Sequence, residues 1–172
     1  LSFTSGTGAS ATLHPVFTPS VPADKVVTWT SDNSAVASVD SNGKVTAGVP
    51  GTAHITVTTH DGGFTAICTV TVAPGVFAVT SVTPTNGTDN VDTSSSVVIH
   101  FANSVNTSIG GTVALNGVAL SNPVWSDNNQ TATYSMSSVN PAYYINYTLT
   151  ISGFTDTYGD TLTPFQSTFK TG

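Results

Sequence analysis

Apolar and polar residues alternate along most of this chain with a period of two. In "KVVTWTS" Val27 and Trp29 fall on one face, with Thr28 and Thr30 on the other. In "GTAHITVTTH" Ile55 and Val57 point one way, while His54, Thr56, Thr58 and His60 point the other. Such alternation predicts half-buried strands. The same rule turns Val97, Ile99 and Phe101 of "SVVIHF" inward and His100 outward, and puts Tyr147, Leu149 and Ile151 of "YINYTLTISGF" on a buried face. Turn residues separate the runs. Asn42-Gly43 predicts a type I′ hairpin, which needs positive φ at both central residues. Asn116-Gly117 and Asp61-Gly62-Gly63 predict two more hairpins. No stretch carries the pattern of a helix of ordinary length. Short alternating strands joined by tight turns predict antiparallel β-sandwiches.

The pattern restarts once. In "VAPGVFAVTSVTP" Pro74-Gly75 ends one run, and Val79 and Val82 begin another. With 172 residues there is room for two small sandwiches, expected at 1–74 and 75–172, each just large enough to bury a core. The joint lacks a Gly/Ser tract and is expected to be semi-rigid.

Composition narrows the class further. The chain has no Glu and no Arg, and its three cations are Lys25, Lys44 and Lys170. Helices are normally built with Glu, Lys, Arg, Ala and Leu, whereas the abundant Thr and Val favour strands. A mean hydropathy of +0.14 is that of a folded chain rather than a disordered one. A net charge of −6 without a cationic cluster argues against nucleic acid and anionic lipid as partners. No run reaches the 18 or so apolar residues of a membrane span. Cys68, the only cysteine, lies in the alternation of "AICTVTV" and is expected to serve as a small buried hydrophobe. The chain begins at Leu1, which suggests a piece cut from a longer protein, so the missing leader says nothing about export.

Two resemblances follow from the residues. The ordered series "VTWTSDNSAVASVDSNGKVTAGVPGTAHITVTT" (27–59), followed by "CTVTV", resembles the bacterial immunoglobulin-like group 2 domain over residues 2–73. That family usually has a further strand ahead of "LSFTSGTGASATL", here expected to be truncated. Residues 76–172 resemble a second bacterial Ig-like family, found in S-layer and other surface proteins. The likeness rests on "VTSVTPTNGTDNVDTSSSVVIHFANSVN", "YTLTISGFTDTYGDTL" and "STFKTG". Together these imply tandem Ig-like sandwiches from a secreted or cell-surface protein. The implied role is a non-catalytic spacer or scaffold, the alternatives being a glycan- or host-binding adhesin module or accessory domains beside an enzyme elsewhere in the parent chain. Implied partners are neighbouring domains and a cell-wall or extracellular glycan or protein, with no nucleic acid and no direct membrane insertion.

Motifs for chemistry are sparse. Neither Gly-x-Ser-x-Gly nor a phosphate-binding loop ending in Gly-Lys-Ser/Thr occurs. Most Asp residues, including Asp32, Asp40, Asp61 and Asp127, stand beside Gly, Asn or Ser, where Asp accepts local backbone bonds. His54 and His60 are about 20 Å apart along one strand, too far to share a metal. In "SGFTDTYGDTL" Asp156 and Asp160 bracket a Gly-containing loop that could hold Ca²⁺, aided by Asp89 or Asp92, although the spacing is not that of an EF-hand. Such a site demands a melting temperature that rises with Ca²⁺. Trp125, beside a polar turn, and Tyr143 and Tyr144 of "NPAYYINY" are candidates for an aromatic patch facing a ligand. Asn86, Asn106, Asn129 and Asn146 head formal glycosylation sequons that carry little weight in a bacterial chain. Thr is spread through strands of both halves, so no single repeating array suited to ice is expected.

Overall fold

The computed structural model describes residues 1–18 and 24–172. The chain forms two compact units, Leu1–Gly75 and Val76–Gly172. Among the described residues the first has the strands β1 (Ser2–Thr4), β2 (Ser10–Thr12), β3 (Val27–Ser31), β4 (Ala37–Val39), β5 (Lys44–Ala47), β6 (Gly51–Thr59) and β7 (Thr65–Ala73). They form one sheet in the order β1-β7-β6-β3 and another in the order β2-β5-β4. The second unit has β8 (Val79–Thr83), β9 (Thr88–Val91), β10 (Ser96–Phe101), β11 (Thr112–Leu115), β12 (Val118–Ala119), β13 (Val124–Ser126), β14 (Thr131–Ser135), β15 (Asn146–Ser152) and β16 (Phe165–Thr171). Its sheets run β13-β14-β10-β8 and β12-β11-β15-β16-β9. A four-residue 3₁₀ turn at Met136–Val139 is the only helical element among the described residues.

These orders are those of an immunoglobulin sandwich, in which strands A, B, E and D face C, F and G. In the second unit β8, β10, β14 and β13 take the places A, B, E and D, and β11, β15 and β16 take C, F and G. The first unit repeats the arrangement with fewer strands. In both, an early strand pairs in parallel with the last one: β1 with β7, through Ser2–Thr71 to Thr4–Ala73, and β9 with β16, at Thr88–Phe169 and Val91–Thr171. The chain is all-β, and both halves have the Ig-like architecture.

The inward set of each alternation makes the cores. Val36, Ala37, Val45, Ala53, Ile55, Val70 and Val72 are buried in the first unit, with Trp29 packed against them. Phe77, Val97, Ile99, Phe101, Leu149, Ile151 and Phe169 belong to the larger core of the second. There burial pushes the Tyr134 phenol up to about 12. Tyr147 lies at the start of β15, stacks on Phe169 with ring centroids 5.8 Å apart, and accepts a bond from the Ala142 amide at 3.0 Å. A tyrosine at the start of strand F bonded to backbone just upstream is a hallmark of Ig sandwiches.

Two details differ from the sequence reading. The hairpin at Asn42-Gly43 exists but is not type I′. Asp40 accepts from the Gly43 amide at 3.1 Å, and only Gly43 (φ 78°) is left-handed. This is a type I turn closed by a left-handed residue, the three-residue form of hairpin. Asn116-Gly117 does have both residues at positive φ, 46° and 82°. Thr is also less scattered than expected, since the outer face of the β1-β7-β6-β3 sheet collects Thr28–Thr58–Thr65 and Thr30–Thr56 into cross-strand rows.

Gly43 generates a test. A Cβ there would come within 2.6 Å of the Leu13 carbonyl and 2.9 Å of the Trp29 ring, whereas at Gly63 (φ 62°) it would meet nothing within 4 Å. Gly63→Ala is expected to cost about 1 kcal/mol and Gly43→Ala at least about 2 kcal/mol, measured by urea unfolding.

Candidate functional site

The most constrained polar cluster is the loop after β15. Asp156 is fully buried and Asp160 nearly so. Asp156 Oδ1 accepts from the amides of Tyr158 and Asp160, both at 2.9 Å, and Oδ2 accepts from Asn103 Nδ2 at 2.8 Å. The backbone closes the same loop: Gly159 N–H donates to the Asp156 carbonyl (3.1 Å) and Asp156 N–H to the Asp160 carbonyl (3.0 Å). Gly159 (φ 84°) supplies the left-handed step.

The hairpin at Asp40 repeats this bonding. Asp40 Oδ1 accepts from the amides of Asn42 (2.8 Å) and Lys44 (2.9 Å), Gly43 N–H donates to Asp40 O, and Asp40 N–H donates to Lys44 O. Asp-Ser-Asn-Gly-Lys and Asp-Thr-Tyr-Gly-Asp are therefore one loop type, Asp at the first position and Gly at the fourth, used once in each unit. The donors on Asp156 supply the positive partial charge that a bound cation would otherwise provide. Asp156 anchors the loop rather than standing with Asp160 as an open pair of ligands. Asp89 lies within β9 and Asp92 just after it, where β9 pairs with the far end of β16, away from this loop. Among the described residues no group of three His, Cys, Asp or Glu side chains could hold a metal ion.

The aromatic candidates separate as well. Trp125 of β13 is half-buried and packs on Phe101 (6.1 Å between ring centroids) and edge-on to Phe154 (6.2 Å). It extends the core, a role its neighbourhood of Asp and Asn hides in the sequence. Tyr143 and Tyr144 are 65% and 73% exposed. Phe154 lies beyond the end of β15 and the two tyrosines before its start. A strand of that length spans about 23 Å, so Trp125 and the tyrosine pair do not share a patch. Tyr144 is left-handed (φ 62°), rare for a bulky residue, and its N–H donates to Thr171 O at 3.1 Å.

Two His–Asp pairs were invisible to sequence reasoning because 22 and 36 residues separate their members. His54 Nδ1 lies 2.8 Å from Asp32 Oδ2, and His60 Nδ1 lies 2.9 Å from Asp24 Oδ2. The His54 amide bonded to Asp32, then the His54 ring, holds the Asp32 carboxyl below its ordinary range. The Val26 amide, then His60, does the same for Asp24. A cleft of about 570 Å³ in the first unit is lined mainly by apolar side chains, among them Val27, Trp29, Val57, Phe64 and Cys68. Cys68 is half-buried there rather than enclosed, its Sγ 3.7 Å from the Thr69 carbonyl. No helix among the described residues is long and apolar enough to cross a membrane.

Two Ig-like sandwiches whose carboxylates and imidazoles brace loops and strands define a class of β-sandwich module. Residues 3–70 match the family model of the bacterial Ig-like domain (group 2), which accounts for nearly all of the first unit. Over 62 residues, 36% of this chain and 6% of the other, the chain is 45% identical to an uncharacterized protein of Clostridium acetobutylicum. It is also 45% identical over 65 residues to an alpha-L-arabinofuranosidase of Bifidobacterium longum subsp. longum, covering 38% of this chain and 6% of that enzyme. This chain thus spans only a small part of the curated relatives it matches. Among solved structures, the N-terminal part of the bacterial S-layer protein SbsC is similar at 21% identity with a TM-score of 0.40, over 57% of this chain and 24% of that one.

Two outcomes are expected. Asp156→Ala strands buried donors and should cost about 3 kcal/mol or more in chemical unfolding, with Ca²⁺ and chelator leaving the wild-type melting temperature unchanged. A rise with Ca²⁺ would restore the cation reading. The depressed Asp32 carboxyl contributes stability that is complete above the unfolded value near 4 and is lost as pH falls through the lower folded one. In an acid titration of stability, Asp32→Asn should flatten that fall by lowering the neutral plateau, leaving stability at acid pH little changed.

Proposed function

We propose that the chain is a non-catalytic, load-bearing spacer of a secreted or cell-surface bacterial protein, its second unit being an Ig-like domain of the surface-protein kind. The observation that carries this reading is the parallel pairing of an early strand with the last strand in each unit. Tension between the ends of such a unit pulls the two strands along their lengths in opposite directions. The hydrogen bonds between them are then sheared together instead of being opened one by one. The group 2 match over residues 3–70 and the second unit's Ig strand order and tyrosine corner support it.

One observation favours a second reading, an adhesive module. The left-handed backbone at Tyr144 holds two adjacent tyrosines exposed, and strained non-glycine backbone clusters at binding sites. Glycan-array binding abolished by Tyr144→Ala, with folding intact, would select it. The relative named as an arabinofuranosidase suggests a third context, attachment beside an enzyme.

Single-molecule stretching tests the spacer. Each unit is expected to unfold in a distinct force peak. Thr71→Pro removes the amide that donates to Leu1 O at 2.8 Å and should lower the first unit's peak while leaving the second's in place. Unfolding without peaks in the wild type would refute the role.

A further inference from the structure

Threonine alternates with inward residues on two neighbouring strands, as Thr28-Trp29-Thr30 on β3 and Thr56-Val57-Thr58 on β6. The antiparallel register sets them side by side, Thr28 against Thr58 and Thr30 against Thr56. On the other flank of β6, Thr65 and Ile67 of β7 lie against Thr58 and Thr56. The outer face thus carries a grid of two rows, Thr28–Thr58–Thr65 and Thr30–Thr56–Ile67. Every position but one is threonine, and the exception, Ile67, is 67% exposed.

The grid is neutral and its hydroxyls are uncommitted. Among the described residues none of its Thr Oγ1 atoms takes part in a hydrogen bond, whereas those of Thr59, Thr80, Thr131 and Thr171 do. The His54–Asp32 pair lies one row outside it, where His54 stands against Thr69. Branching at Cβ holds each hydroxyl and methyl to few orientations, so the array is stiff before any partner arrives. A strand added at either edge would widen the sheet and leave this face uncovered.

Such a grid has nearly the dimensions of a water lattice. Side chains two residues apart on a strand are separated by about 6.7 Å, and those on neighbouring strands by about 4.8 Å. Water joined tetrahedrally through O–H···O bonds of about 2.75 Å places second neighbours about 4.5 Å apart. By the same geometry the hexagonal form repeats about every 7.3 Å in the perpendicular direction. Across the grid the mismatch is about 0.6 Å each way, close to the spread of O–H···O lengths. Twist of about 20–25° per strand confines the match to these few positions.

We propose that this face binds ice, its hydroxyls entering the lattice in place of water and its methyl groups filling the gaps between lattice oxygens. A crystalline polysaccharide is the other flat partner, but sugar rings pack on exposed aromatic rings and the grid has none. Trp29, between Thr28 and Thr30, packs against the core instead. The patch is small, so partial uptake is expected. This inference stands independently of the spacer role.

Slow growth of polycrystalline ice from a dilute solution of the full chain tests it. The wild type is expected to enter the ice, while a co-dissolved protein without ice affinity stays in the liquid. Thr56→Lys with Thr58→Lys puts hydrated charges at the centre of the grid and should abolish uptake. Thr112→Lys, at an exposed strand position of the second unit, should leave uptake intact. Ile67→Thr completes the grid and should raise the fraction taken up. Circular dichroism checks that each variant is folded. A wild type excluded from the ice would overturn the proposal. So would a double-lysine variant taken up as readily as the wild type, or an Ile67→Thr variant taken up no better. Retention on microcrystalline cellulose or chitin without entry into ice would assign the face to a polysaccharide and likewise overturn it.

Discussion

Each sandwich depends on a contact that no local turn can make, the parallel pairing of an early strand with the final one. Hairpins form from neighbours in sequence, but β1 meets β7 across nearly the whole unit, Ser2 lying opposite Thr71. Bringing such distant strands together costs more loop-closure entropy than forming a hairpin, so the pairing relies on the strands between them being held in the same sandwich. Because the side-chain period is two, a slip of one residue in β7 would bring Thr69 and Thr71 inward in place of Val70 and Val72. Burial of the valines thus fixes the register, and the register aligns the clamp.

Local features were legible in the sequence and long-range ones were not. Alternation identified the inward faces of β3, β6, β10 and β15 because each reads one face at a time. Hairpin positions were readable, but turn type was not: Asn42-Gly43 looks like Asn116-Gly117, and only Asp40, two residues earlier, diverts it into another geometry. The same Asp-x-x-Gly spacing was present at Asp156, where the proximity of Asp160 drew attention to cations instead. Asp at the first position and Gly at the fourth of a type I turn was the signal that could have separated the two readings. Trp125 misled for a related reason. Its sequence neighbours are turn residues, but its neighbours in space are Phe101 and Phe154, supplied by distant strands.

The two units share one economy of polar groups. Asp40, Asp92 and Asp156 each take up backbone amides within their own loop. Asp24 and Asp32 each hold a histidine of the β6 segment as well as a backbone amide. In the second unit asparagine shares the left-handed positions with glycine, among them Asn90, Asn116, Asn128 and Asn140. Asparagine tolerates that conformation while restricting the unfolded chain more than glycine does.

The hydroxyl rows on the outer face of the first unit have a consequence for where such a module can work. Threonine keeps that face wet through neutral groups, so little of the fold's free energy resides in attractions that dissolved ions could screen. The exposed His–Asp pairs are the part most open to screening, and exposed pairs contribute little. A sandwich built this way keeps nearly the same stability in fresh water as in brine, so its fold does not depend on the ionic strength of the medium around it.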